Sequence, residues 1–256
     1  MEIIQLTIKN SLKNFHFIIQ LNNKTAWIID PYDTKAIEKE INKRGLNVVG
    51  IINTHSHYDH IGGNDYFLHK YNCELIVPQN SEISHSTREV ADGEVIELDK
   101  NTQLRAISTP GHMRVHFSYL IIESGKEVGA LCGDSVFNCG IGNCRDGSVD
   151  MAYNTIIQVY SEFSDSLILY VGHDYFQTNL KFAQYTEPKN EFRDNVMSEI
   201  QRRGYKNMRI GDERKMNPFF RLHSQELKNR VEEIMGYEMN SEKNLFVALR
   251  TLRDSW

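Results

Sequence analysis

The chain has little of what would assign it to several large classes. Only four cysteines, Cys73, Cys132, Cys139 and Cys144, fall among its 256 residues. That is too few for a disulfide framework, and none are spaced Cys-x-x-Cys, so a reducing cytoplasm is expected. No apolar run approaches the roughly 18 residues of a membrane span, so no membrane partner is expected. The first residues lack a basic stretch followed by a long apolar core, so no secretory signal is read there. No basic stripe is present and the formal net charge is −5, which argues against nucleic acid as a partner. No acidic tail, internal repeat or low-complexity tract appears. The remainder is ordinary for a globular protein, 40% hydrophobic and 25% charged. Its length suits one large domain, or a main domain with a smaller one.

Short apolar runs dominate the first two thirds: 17–19, 26–29, 48–52, 75–77, 104–107, 117–122, 128–131 and 167–171. They are strand-length, often β-branched, and bounded by Gly, Asn, Asp or Pro. Helical spacing lies between them at 35–44, 65–71 and 149–163. After His173 the pattern changes to helices with charged faces at 180–186, 190–203, 225–235 and 242–252, with Ser224 and Ser241 as N-caps. The expected fold class is α+β, sheets flanked by helices followed by a small helical domain. The expected domains are 1–175 and 176–256.

One segment carries chemistry. Residues 54–60 read Thr-His-Ser-His-Tyr-Asp-His, which places His55, His57, Asp59 and His60 within six positions after the 48–52 run. Three imidazoles and a carboxylate at a strand end suit divalent cations better than packing. Three further runs end on a ligand-type residue directly after a glycine, at His112, Asp134 and His173. Rigid sheets present functional groups at such loops. Seven ligands exceed the need of one tetrahedral ion. They suit two ions sharing a carboxylate. The set holds no thiolate, which fits Zn, Fe or Mn without choosing among them.

The Thr-His-x-His-x-Asp-His-x-Gly-Gly segment at 54–63 resembles the signature of the metallo-β-lactamase superfamily. Thr109–His112, Cys132–Phe137, Gly172–Tyr175, Asn179–Ala183 and Lys215–Arg221 are similar, in order, to glyoxalase II, the hydroxyacylglutathione hydrolases. The resemblance implies an αββα sandwich followed by a helical substrate-binding domain. It implies one metal on His55, His57 and His112, a second on Asp59, His60 and His173, and Asp134 bridging them. Zinc is the expected metal. The implied reaction is hydrolysis of S-D-lactoylglutathione to D-lactate and glutathione by a metal-bridging hydroxide, in methylglyoxal detoxification. Asp59 and Asp134 are the expected catalytic carboxylates, and a monomer is expected.

The substrate arm departs from the family pattern. The family places Gly-Cys-Gly followed by Arg or Lys where this chain has Gly140-Ile141-Gly142-Asn143. Arg145 is two positions from the missing cation. Tyr175 matches the family's tyrosine, Arg250 matches its arginine, and Arg253 replaces its lysine. The expected substrate contacts are therefore Asn143, Arg145, Tyr175, Arg250 and Arg253. Rival readings are a thioesterase for another thiol carrier, a persulfide dioxygenase with one iron, and a non-catalytic metal-binding protein. His116 is expected to give structural support rather than ligation.

Overall fold

A computed structural model describes residues 1–256. The chain divides into two compact units that interleave along the sequence. The first is 1–109, 115–133 and 171–173; the second is 110–114, 134–170 and 174–256.

The first unit opens with β1 (Glu2–Thr7), β2 (Phe15–Gln20), β3 (Thr25–Ile29), α1 (Thr34–Arg44), β4 (Asn47–Ile52), α2 (Tyr58–Ile61), α3 (Asn64–Tyr71), β5 (Glu74–Pro78) and β6 (Arg88–Val90). Its six strands form one sheet in that order. β1 to β3 are antiparallel and β3 to β6 parallel. Side chains alternate across a strand. Ile18, Ala26, Ile28, Val48, Ile51, Leu75 and Val77 form one core with Ile37 and Ile41 of α1 and Phe67 of α3. Their neighbours Phe17, Ile19, Trp27, Ile29 and Ile52 are buried too. Both faces of the sheet are therefore covered, the usual condition of parallel strands. α1 is closed by Asp33, which accepts from the Ala36 amide, and by Gly45 in the left-handed region.

β7 (Val95–Glu97), β8 (Thr102–Ser108), β9 (Phe117–Glu123) and β10 (Lys126–Gly133) are antiparallel neighbours in the second sheet, in the order β10-β9-β8-β7. At the end of β10 the Gly133 carbonyl accepts from the Gly172 amide at 2.8 Å.

The second unit contains the two-residue strands β11 (Val136–Phe137) and β12 (Gly140–Ile141), then α4 (Val149–Gln158), β13 (Ile168–Val171), α5 (Phe176–Thr186), α6 (Glu191–Arg203), α7 (Ile210–Met216), α8 (Gln225–Met235) and α9 (Glu242–Ser255). Ser224 and Ser241 cap α8 and α9 as expected, accepting from Leu227 and Asn244 amides. Phe176, Leu180 and Ala183 of α5 pack with Val196 and Ile200 of α6, Met216 of α7 and Cys139. Buried Arg193 of α6 donates to the carbonyls of Ala183 and Pro188 near the end of α5.

Candidate metal centre

In the first unit the site grows from the ends of β3 and β4. Asn53, Thr54 and His55, directly after β4, are fully buried, so their polar groups need partners inside the protein. Asp30, directly after β3, supplies them. It sits in the left-handed region at φ 49°, where a short polar side chain is tolerated. Its Oδ1 accepts from the Thr54 amide at 2.8 Å, and its Oδ2 accepts from the Thr54 hydroxyl at 2.6 Å. The same Oδ2 accepts from His60 Nδ1 at 3.0 Å.

That network sets the tautomers. The Thr54 hydroxyl donates to Asp30, so it accepts from His55 Nδ1, 2.9 Å away. His60 donates through Nδ1 to Asp30. His173 Nδ1 lies 2.8 Å from the Leu12 carbonyl, which can only accept. All three rings thus anchor Nδ1 on an oxygen and turn an Nε2 lone pair inward, the arrangement of metal-ligating histidines.

The inward atoms converge. His60 Nε2 and His173 Nε2 lie 3.3 Å apart. Asp59 Oδ2 is 3.6 Å from the first and 3.4 Å from the second. Asn14 donates to that same oxygen at 2.9 Å and aims it. His55 Nε2 lies 3.2 Å from His57 Nδ1. Two imidazole lone pairs and a carboxylate oxygen facing one another repel unless a cation lies among them, so these residues fit a divalent metal. Gly133 borders the cluster at φ 48°. A Cβ there would come within 2.5 Å of Thr54 Oγ1 and 2.8 Å of His116 Nε2. His116 is fully buried and pairs through Nδ1 with the Thr109 hydroxyl at 2.8 Å.

The second unit brings together the remaining expected ligands. His112 Nδ1 donates to the Asn143 carbonyl at 2.7 Å, and its Nε2 lies 3.6 Å from Asp134 Oδ2. Here too the ring is anchored through Nδ1. Both residues are buried. In the same unit a cleft of about 210 Å³ is lined by Asp134, Phe137, Ile141, Asn143, Arg145, Tyr175, Asn179, Arg250, Arg253 and Asp254. All five expected substrate contacts border it. Phe137 and Tyr175 meet edge to face, with ring centroids 5.2 Å apart. Arg253 donates to Asn179 Oδ1 at 3.3 Å.

A sequence model of the metallo-beta-lactamase superfamily matches residues 15–173, and a model of the hydroxyacylglutathione hydrolase C-terminus matches 174–256. A hydroxyacylglutathione hydrolase from Polaromonas sp. is 30% identical over 96% of this chain and 97% of its own length. The chain belongs to the glyoxalase II family of the metallo-β-lactamase superfamily. Another hydroxyacylglutathione hydrolase, from Nitrosococcus oceani, is 28% identical over the full length of both chains. The crystal structure of ETHE1 from Myxococcus xanthus superposes with a TM-score of 0.69 at 20% identity, covering 100% of this chain and 99% of that one. That likeness shows the fold. The expected fold class, a metallo-β-lactamase sandwich with a helical C-terminal region, is the one found.

Several residues that build this glyoxalase II site were not in the sequence-derived set. Asp30 and Asn14 hold His60 and Asp59, while Thr54 holds His55. Asn179 and Asp254 line the cleft. Asp30 shares the signal that marked the ligands, a polar residue closing an apolar strand run. Asn14 and Leu12 lie on a turn whose sequence has no comparable mark.

Proposed function

We propose that the chain hydrolyses S-D-lactoylglutathione to D-lactate and glutathione. The observation that carries this reading is the family match at 174–256, which ties the helical region to hydroxyacylglutathione hydrolases in particular. Full-length relatives bearing that name support it. The same match disfavours the persulfide dioxygenase reading. The filled ligand set disfavours a non-catalytic metal-binding protein.

In this reading two divalent cations are held, one by His55, His57 and His112, the other by Asp59, His60 and His173, with Asp134 between them. Covalent continuity supports the pairing: Asp134 follows Gly133 directly, and His112 is three residues from Thr109. Zinc suits the imidazole and carboxylate donors. Bound cations supply Lewis-acid polarisation of the thioester carbonyl and lower the pKa of water to about 7. The chain's own residues do the rest. Asp59 turns Oδ2, aimed by Asn14, toward the cation, so a proton on this carboxylate would sit on Oδ1. The Nδ1 anchors keep the imidazoles in ligating tautomers. Arg145 and Arg253 offer charge to the carboxylates of the thiol carrier, and Tyr175 offers a hydroxyl. No serine or cysteine nucleophile is required. Cys132 and Cys139 are fully buried, and burial pushes the Cys139 thiol well up.

A thioesterase for another thiol carrier is favoured by one feature, the absence of a cation at Asn143. The test is a panel of lactoyl thioesters hydrolysed by protein of measured metal content. The reading predicts the highest kcat/KM for lactoylglutathione. Negligible hydrolysis of that substrate alone replaces the carrier; no hydrolysis of any thioester with two metals bound overturns the enzyme reading.

No helix is long and apolar enough to cross a membrane. All four cysteines are free, which supports placing the protein in the cytoplasm. We propose a monomer, which sedimentation tests.

A further inference from the structure

We propose that Arg250 is a positioning residue of the metal centre, acting through the backbone of residues 141–143 on His112 and Asp134. The inference rests on the metal-centre reading above. Arg250 lies on α9 and is only 4% exposed. Its Nη1 donates to the carbonyls of Ile141 and Gly142, each at 3.2 Å. Its Nη2 donates to Asp254 Oδ1 at 2.7 Å, one helical turn on, and the guanidinium lies over the Phe219 ring at 5.7 Å. A planar, always-charged fork held on several sides is a stiff clamp. It grips two consecutive carbonyls of a short loop.

The next carbonyl of that loop is Asn143's, which accepts from His112 Nδ1 at 2.7 Å. Gly142 packs against both ligand residues. A Cβ there would lie 2.0 Å from the Asp134 carbonyl oxygen and 3.0 Å from His112 Nδ1. Packing this tight transmits displacement rather than absorbing it. Releasing the two carbonyls from Arg250 therefore shifts the acceptor that orients His112, and with it the Nε2 facing Asp134. Both Nη atoms of Arg250 are already engaged inside the protein. Three of its five N–H donors are thus used inside the protein, while Arg145 and Arg253 line the same cleft.

The full-length chain carrying Arg250→Met, Arg250→Lys or Asp254→Asn tests this. Zinc affinity is read by chelator competition, ligand geometry by the visible spectrum of the Co(II)-loaded protein, and folding by thermal unfolding of the metal-free form. Kinetics at saturating metal separate kcat from KM. Arg250→Met is expected to weaken zinc binding about tenfold, as loss of an outer-sphere support does. It should also alter the Co(II) spectrum and lower kcat. Arg250→Lys, which keeps the charge, recovers part of the loss. Asp254→Asn, which loosens the clamp without removing it, shifts the same readouts less. An unchanged zinc affinity and spectrum with KM alone raised overturns the proposal and makes Arg250 a substrate contact. Should Arg250→Met fail to fold, an unchanged affinity in Asp254→Asn overturns it instead. A wild-type chain that cleaves no thioester sinks the function but leaves this inference standing, because affinity and spectrum are read without turnover.

Discussion

Replacing Asp30 by Asn changes one oxygen to an amide nitrogen in a group only 5% exposed, yet the hydrogen-bond pattern demands a large effect. The carboxylate accepts four bonds: from the Thr54 amide, the Thr54 hydroxyl, His60 Nδ1 and, longest at 3.5 Å, Asn53 Nδ2. An Asn can keep its oxygen on the Thr54 amide. Its NH2 then faces the hydroxyl and the imidazole, which were both donors. The hydroxyl can rotate and accept. His60 must accept at Nδ1, which moves its proton to Nε2, the atom turned toward Asp59 and His173. Such outer-sphere changes cost roughly 10- to 100-fold in metal affinity, about 1.4–2.8 kcal/mol. Asp30→Ala removes the acceptor without supplying a donor, so it should lose less affinity. It leaves the buried Thr54 amide without its partner, however, and should cost the metal-free protein about 1–3 kcal/mol more in unfolding free energy than Asn does. The two variants should therefore rank in opposite order in chelator competition and in denaturant unfolding of the metal-free chain. The same rank in both assays, or an Asn variant with native affinity, would refute the idea that Asp30 sets the His60 tautomer.

Three other outcomes can be checked. Asp59→Asn should retain both metals, by elemental analysis, while losing at least tenfold in kcat if its carboxylate carries a proton; full rate removes that role. Gly142→Ala should lower bound metal and turnover together, because its Cβ would come within 2.0 Å of the Asp134 carbonyl oxygen; native metal content contradicts the packing. Burial pushes the Glu213 carboxyl up to about 8 despite donation from Asn217 and the Cys139 amide. A raised carboxyl pKa means the folded chain holds a proton that the unfolded chain releases. Its stabilising share is whole below about 4.5 and is lost as pH rises through about 8. At ~1.4 kcal/mol per unit the loss is on the order of 4 to 5 kcal/mol. Glu213→Gln should flatten that slope in urea unfolding between these limits, and an unchanged slope would deny the shift.

Much of the candidate metal cluster was legible because four of the expected ligands sit together in sequence and the others follow glycine at strand ends. Asp30 was not read although it closes a strand run, because nothing in sequence pairs it with His60, thirty residues on. β11 and β12 escaped because two residues cannot show a period. β1 alternates polar and apolar weakly, and its pairing with β2 supplies what its own pattern lacks. The helix expected over 149–163 breaks at Val159 into a 3-10 turn at Tyr160–Glu162, within the ordinary scatter of helix ends. The strand before His112 stops at Ser108, where Pro110, lacking an amide hydrogen, cannot extend the ladder. The cleft was the least legible part, because the direction of Arg250 depends on loop carbonyls that carry no residue identity.

Two of the histidine anchors are main-chain carbonyls, those of Leu12 and Asn143. An acceptor of that kind survives replacement of the side chain that bears it. Alanine scanning will therefore leave both anchors in place and will not reveal that each fixes a histidine ring. It also leaves position 143 open to drift: evolution can rewrite what the cleft recognises there without touching the orientation of His112. Asn143 thus separates two duties, a side chain that borders the cleft and a carbonyl that holds His112.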